Sequence, residues 1–164
     1  MTKSFAIKTM TKNREVEMRF FDSSHAYDLT MVSGILVFAF DAQGRILVLK
    51  DKKGFSLLRG EIEWDDDTGE DAARREVLEL ADATLSSVSL AAFIETTVED
   101  SFTQDPVITL VFAGCVDTLD SCPSSGKDRR VFLSGDDFLE SCAPENAELH
   151  PQLMALVART LGQR

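Results

Sequence analysis

The sequence predicts a single α/β (α+β) domain in which a mixed β-sheet carries packed helices. Three observations carry that prediction. Apolar runs of strand length recur along the chain, "ILVFAF", "RILVLK", "SVSLAAFIETTV" and "PVITLVFAGCV" among them. Between the second and third of these lies one stretch that reads as a helix, Thr68 to Asp82. A second helical spacing closes the chain, with Leu149, Leu153, Leu156, Val157 and Leu161 in register. Strands, helix, strands, helix in that order make a mixed sheet with helices packed on it.

Size and charge narrow the function. A chain of 164 residues suits one domain with one sizeable core. Lys and Arg total 17 against 28 Asp and Glu, a formal net charge of −11. Such a surface repels phosphate polymers, so no nucleic-acid polymer is expected as a partner. A small nucleotide remains compatible, because carboxylates can hold the divalent cation that neutralises its phosphates. The cysteines, Cys115, Cys122 and Cys142, show no CxxC spacing, which argues against a disulfide framework or a zinc site. Cys115 lies in an apolar run and is expected in the core. The opening residues carry too short an apolar run for a signal peptide, and no stretch has the length of a membrane span. No membrane association is expected, and a cytoplasmic location is the default.

The elements follow in order. "EVEMRF" alternates, with Val16, Met18 and Phe20 on one face, as in a strand. "MVSGILVFAF" and "RILVLK" flank "DAQG", Asp41 to Gly44, a polar gap suited to a hairpin turn. "GFSLLRGEIEWDDD" reads as a short strand and an acid-rich loop holding the only tryptophan, Trp64. Thr68 and Asp71 have capping-box spacing at the start of the helix. Its Ala72, Ala73, Val77, Leu80 and Ala81 share one side, and the small alanines suit close packing on a sheet. Two long buried strands come next, separated by a loop with Glu99, Asp100 and Asp105. "TLDSCPSSGKD" is a loop, "RRVFLS" a last strand and "GDDFLES" a helical turn. Core candidates are Leu36, Val37, Leu47, Val48, Ile108 and Leu110, with alternate residues on opposite sheet faces.

The first helix is where chemistry is expected. Glu76 and Glu79 at i, i+3 can converge on one cation, and Arg75 beside them can orient a carboxylate. Magnesium takes oxygen ligands and commonly uses one or two carboxylates plus substrate phosphate. The spacing taken alone fits a solvated charged helix face better, since such faces are common.

The surrounding residues shift that balance. "GFSLLRGEIEWDDDTGEDAARREVLELADATL" resembles the Nudix box, G-x5-E-x7-R-E-U-x-E-E-x-G-U, over residues 60–83. Arg75, Glu76 and Val77 match its R-E-U, and Glu79 matches the first acid of its E-E pair. Counted back without a gap, Asp67 stands for its first glutamate. Gly60 matches the glycine before the box, and the flanking hairpin and strands agree over about 30–140. The departures are Arg59 for the usual proline, Glu61 for the opening glycine, Leu80 for the second acid, Asp82 for the closing glycine and Ala83 for the last aliphatic residue.

The resemblance implies the Nudix fold, a mixed β-sheet sandwiched between α-helices. A single Nudix-like domain is expected over 1–164, with its C-terminal helix at about 145–162. The implied activity is hydrolysis of a nucleoside diphosphate linked to another group, with Mg2+ or Mn2+ held by Gly60, Glu76 and Glu79 and Arg75 in the catalytic set. Loss of the acid at Leu80 implies weakened activity. The alternative is a Nudix-like domain that has lost catalysis and serves in binding or regulation. Trp64 could stack on a nucleobase, although packing on the sheet edge is the commoner role for such a residue. Glu99 and Asp128 are weaker substrate-site candidates, and Glu95 and Asp100 are more often solvated. His25 and His150 are isolated, so a histidine-centred mechanism has no support. The partners expected are a small nucleotide-like substrate and a second copy of the chain in a homodimer.

Overall fold

The computed structural model describes residues 4–11, 14–22, 27–52, 54–98, 106–120, 129–141 and 149–162. Its strands are β1 (Ser4–Thr11), β2 (Arg14–Asp22), β3 (Val32–Phe40), β4 (Ile46–Asp51), β5 (Gly54–Gly60), β6 (Ala83–Val98), β7 (Val107–Leu119) and β8 (Arg130–Leu133). The helices are α1 (Gly69–Ala81), α2 (Gly135–Glu140) and α3 (Leu149–Gly162). The strands form one mixed sheet in the order β1-β2-β6-β7-β3-β5-β4-β8. At its centre β3 runs parallel to β7 and antiparallel to β5.

Helices cover both faces, as the sequence predicts. Ile35, Val37, Ala39, Leu47, Leu58, Leu110 and Phe112 meet Ala72, Ala73, Val77 and Ala81 of α1. On the other face Phe38, Phe40, Val48, Val111 and Ala113 meet Phe138 of α2 and Leu153, Leu156 and Val157 of α3. The alternation along β3 is the period-2 pleat of a strand buried on both sides. Val37, Leu47, Val48, Ile108 and Leu110 are buried as expected, whereas Leu36 is only partly buried, against the α3 side. Cys115, expected in the core, is half-buried.

Two elements differ from expectation. β1 is a strand that the sequence does not announce; it pairs along its length with β2, from Ser4↔Phe21 to Thr11↔Arg14. As the outermost strand it needs little apolar surface, which is why its pattern is weak. The turn after β3 forms as expected, with Asp41 Oδ1 accepting from the Gln43 and Arg45 amides at 3.0 and 2.8 Å and Gly44 at φ 78°. Its two strands, however, pair only at Phe40↔Ile46. Beyond that point β5 wedges between them, pairing Ile35↔Gly60 through Val37↔Leu58 on one side and Val48↔Leu57 through Asp51↔Gly54 on the other. That insertion carries the end of β5 into the middle of the sheet, beside α1.

Among the described residues no helix is long and apolar enough to cross a membrane.

Candidate metal centre

The centre lies where β5 ends beside the second and third turns of α1. α1 starts as its sequence dictates: Thr68 accepts from the Asp71 amide at 3.1 Å, and Glu70 and Asp71 place negative charge at the positive end of the helix. Gly69 is needed here, because a Cβ would come within 2.7 Å of the Phe112 ring. Ala72, Ala73, Val77 and Ala81 face the sheet, which turns Arg75 and Glu79 away from it and leaves Glu76 at the seam. Glu76 is the one buried charged residue among those described, at 9% exposure. Its carboxyl occupies the space beside Gly60, where any Cβ would overlap it. Any larger residue at that position would displace the Glu76 carboxyl.

Arg75 organises the surroundings. Its Nε and Nη2 donate to Asp66 Oδ1 and Oδ2 at 3.1 and 2.9 Å, a two-pronged pair. Nη2 also donates to the Glu61 carbonyl at 2.8 Å. Nη1 meets Glu76 Oε1 at 2.9 Å, Glu79 Oε2 at 3.3 Å and Glu63 Oε1 at 3.3 Å. Hydrogen bonding to Asp66 raises the Arg75 pKa above its usual value despite opposing burial, with Glu76 adding to the effect. The same pair holds the Asp66 carboxyl below the usual carboxylate range, helped by the Glu63 amide. The carboxylate that Arg75 orients is therefore Asp66, where gapless counting points to Asp67. Asp66 is turned inward by a tight turn, its amide donating to the Glu63 carbonyl at 3.0 Å and its Oδ2 accepting from the Glu63 amide at 2.8 Å. Asp67, one residue on, is exposed.

Glu63, Glu76 and Glu79 each bring a carboxylate oxygen within 4.8 Å of the others. The structure thus gathers Arg75, Glu76 and Glu79 beside Gly60, and adds Glu63, which sequence reasoning missed. Residues 61–67 hold five acids, so spacing could not single out Glu63. Leu80 is half-buried and packs against the α1-side core. Asp82, in place of a glycine, caps α1 in the left-handed conformation at φ 48°, which aspartate tolerates better than most residues. Trp64, expected on balance to pack, is 97% exposed instead. It lines an open pocket of about 300 Å³ with Leu29, Val32, Ile62, Glu63 and Asp66. Glu95 lies on β6, paired with Arg19 and Ile108, outside the carboxylate group. His150 stacks on Phe138 away from the centre. Glu99, Asp100, Asp128 and His25 lie outside the described residues.

The donor set fits a hard divalent cation. All the side-chain oxygens are carboxylate, and Glu63, Asp66, Glu76 and Glu79 against Arg75 leave three negative charges in excess. Clustered like charges repel at short range unless a cation is shared between them.

Comparison with known proteins bears on the family and the fold. The NUDIX domain model matches residues 30–153. Among curated proteins none matches significantly. Among solved structures, the fold is similar to the pyrophosphohydrolase BsRppH of Bacillus subtilis, at 12% identity and a TM-score of 0.65 over 94% of this chain and 97% of that one. It is similar to the NUDIX domain of Shewanella oneidensis NrtR in complex with ADP ribose, at 12% identity and a TM-score of 0.59 over 85% and 93%. A MutT protein from Methanosarcina mazei aligns at 16% identity and a TM-score of 0.56 over 76% and 93%. At such identities the likeness is one of fold. The family rests on the match across most of the chain, together with the R-E-x-x-E helix it contains, and on these grounds the chain belongs to the Nudix family.

Proposed function

We propose that the chain is a Nudix pyrophosphohydrolase that cleaves a nucleoside diphosphate linked to another group, using Mg2+ or Mn2+. The observation that carries this reading is the convergence of Glu76 and Glu79 on one guanidinium nitrogen, beside a glycine whose missing side chain makes room for the Glu76 carboxyl. Glu76, Glu79 and the Gly60 carbonyl would hold the cation. When bound, it would withdraw charge from the pyrophosphate oxygens and make phosphorus a better target for water. The chain's own residues do the rest. Arg75 keeps the carboxylates of α1 in place through its anchor on Asp66. The pocket beside Glu63 and Asp66 offers the organic part of the substrate an apolar floor of Leu29, Val32 and Ile62, and Trp64 presents a free ring on which a base can stack. The NrtR domain was solved with ADP ribose, a molecule of the class proposed here.

Weak or metal-demanding turnover is expected, because Leu80 brings no oxygen to the helix. The half-buried Leu80 also favours a second reading, a domain that binds such nucleotides without cleaving them. A panel of nucleoside diphosphate derivatives, assayed with magnesium and with manganese for released monophosphate or phosphate, separates the two. Turnover of one member, lost on Glu76→Gln by at least about a hundredfold, is the expected result. Binding of a panel member without turnover under either metal would establish the second reading.

A further inference from the structure

α1 brings only two carboxylates to the centre, since Leu80 follows Glu79 and packs against the core. The opposite wall is the loop after β5, and it supplies a third. Glu63 Oε1 stands 3.3 Å from the same Arg75 Nη1 that meets Glu76 and Glu79. Its carboxylate lies within the 4.8 Å group that the other two define. Its backbone is held on both sides by the turn to Asp66, and Asp66 is clamped by Arg75. Glu63 is therefore positioned by the residue that positions Glu76. Its side chain is half-exposed and free to close on a cation approaching from the pocket that it lines. A cation lowers the repulsion among these acids most where all three reach it.

We infer that Glu63, from the loop, is a ligand of the divalent cation and replaces the carboxylate that the helix lost at Leu80. The inference rests on the proposed cation site of Glu76 and Glu79.

Manganese titration of the full chain, followed by the electron paramagnetic resonance signal of the free ion, tests this without an activity assay. Four proteins are compared: wild type, Glu76→Gln, Glu63→Gln and Asp65→Asn. The last removes the same charge from the same loop at an exposed side chain outside the carboxylate group. Loss of a ligand should weaken affinity by roughly tenfold or more, so Glu76→Gln and Glu63→Gln should both fall by that much while Asp65→Asn stays within about twofold of wild type. If Glu76→Gln weakens binding and Glu63→Gln does no more than Asp65→Asn, Glu63 is not a ligand, and the site of Glu76 and Glu79 stands without it. If the wild type takes up no manganese, the cation site itself is refuted, and this inference with it. Melting without metal guards against a structural effect: the glutamine keeps an acceptor for Arg75, so the melting temperature should hold. A metal-free melting temperature that falls along with manganese affinity would mean that Glu63 only holds Arg75, and would overturn the assignment.

Discussion

At the scale of single residues, the centre is built around one arginine. Arg75 donates in three directions, and Asp66, at 6% side-chain exposure, is its firmest partner. The Asp66 carboxyl is held below its ordinary range, chiefly by that hydrogen bond. A carboxylate with a depressed folded pKa stabilises the fold above its unfolded value near 4, and that stabilisation is lost as pH falls through the folded value. Asp66→Asn should therefore cost about 1–3 kcal/mol at neutral pH and flatten the fall of stability below about pH 4. Urea denaturation from pH 3 to pH 7 checks both; equal acid slopes in the two proteins would remove Asp66 from this role. The pair was only half legible in the sequence. Arg75 stands out beside Glu76, but Asp65, Asp66 and Asp67 are three identical side chains in a row, and only the turn at Glu63 selects the middle one.

At the scale of elements, α1 shows where spacing informs and where it stops. Its start, its cap and its apolar side follow from Thr68, Asp71 and the alanines. Its end does not. The last turn contains no basic residue, yet Arg130 of β8 donates to the Ala81 carbonyl at 2.7 Å and to the Asp120 carbonyl. A cation from a distant strand thus meets the negative end of the helix. Arg130→Met, which keeps most of the stem and removes the donors, should cost about 1–3 kcal/mol in stability. Chemical denaturation measures it, and a midpoint within error of wild type would mean that the contact carries no energy. No reading of residues 68–82 could have anticipated this contact, because the partner lies 49 positions away. The apparent hairpin of β3 and β4 failed to predict its pairing for a similar reason. Local turn chemistry set the reversal, and tertiary pairing with β5 set the neighbours.

At the scale of the whole molecule, the sheet with helices on both faces was legible because its apolar runs are long and its helices amphipathic. Ile108 and Leu110, two apart on β7, fall in the same α1-side cluster, as a pleated strand demands. Ile108, at 7% exposure, should cost about 2–5 kcal/mol when cut to alanine; an unmoved thermal melting temperature would place it outside the core. Strand order was not legible. The pairing of β3 with β7 joins residues such as Val37 and Phe112 that no local pattern relates.

That central parallel pair has a further consequence for a chain made from its N-terminus. β3 emerges long before β7, with β4, β5, α1 and β6 still to be synthesised between them. Through that interval its "ILVFAF" run has one edge without its eventual partner, the kind of edge that recruits other nascent chains. The segment that follows β5 carries Glu61, Glu63, Asp65, Asp66 and Asp67 and exits the ribosome in the same interval. Repulsion between these acids on neighbouring chains opposes association while the sheet is unfinished. Replacing the exposed acids of this loop, Glu61, Asp65 and Asp67, by neutral residues is therefore expected to lower the yield of folded protein even where the centre itself is untouched.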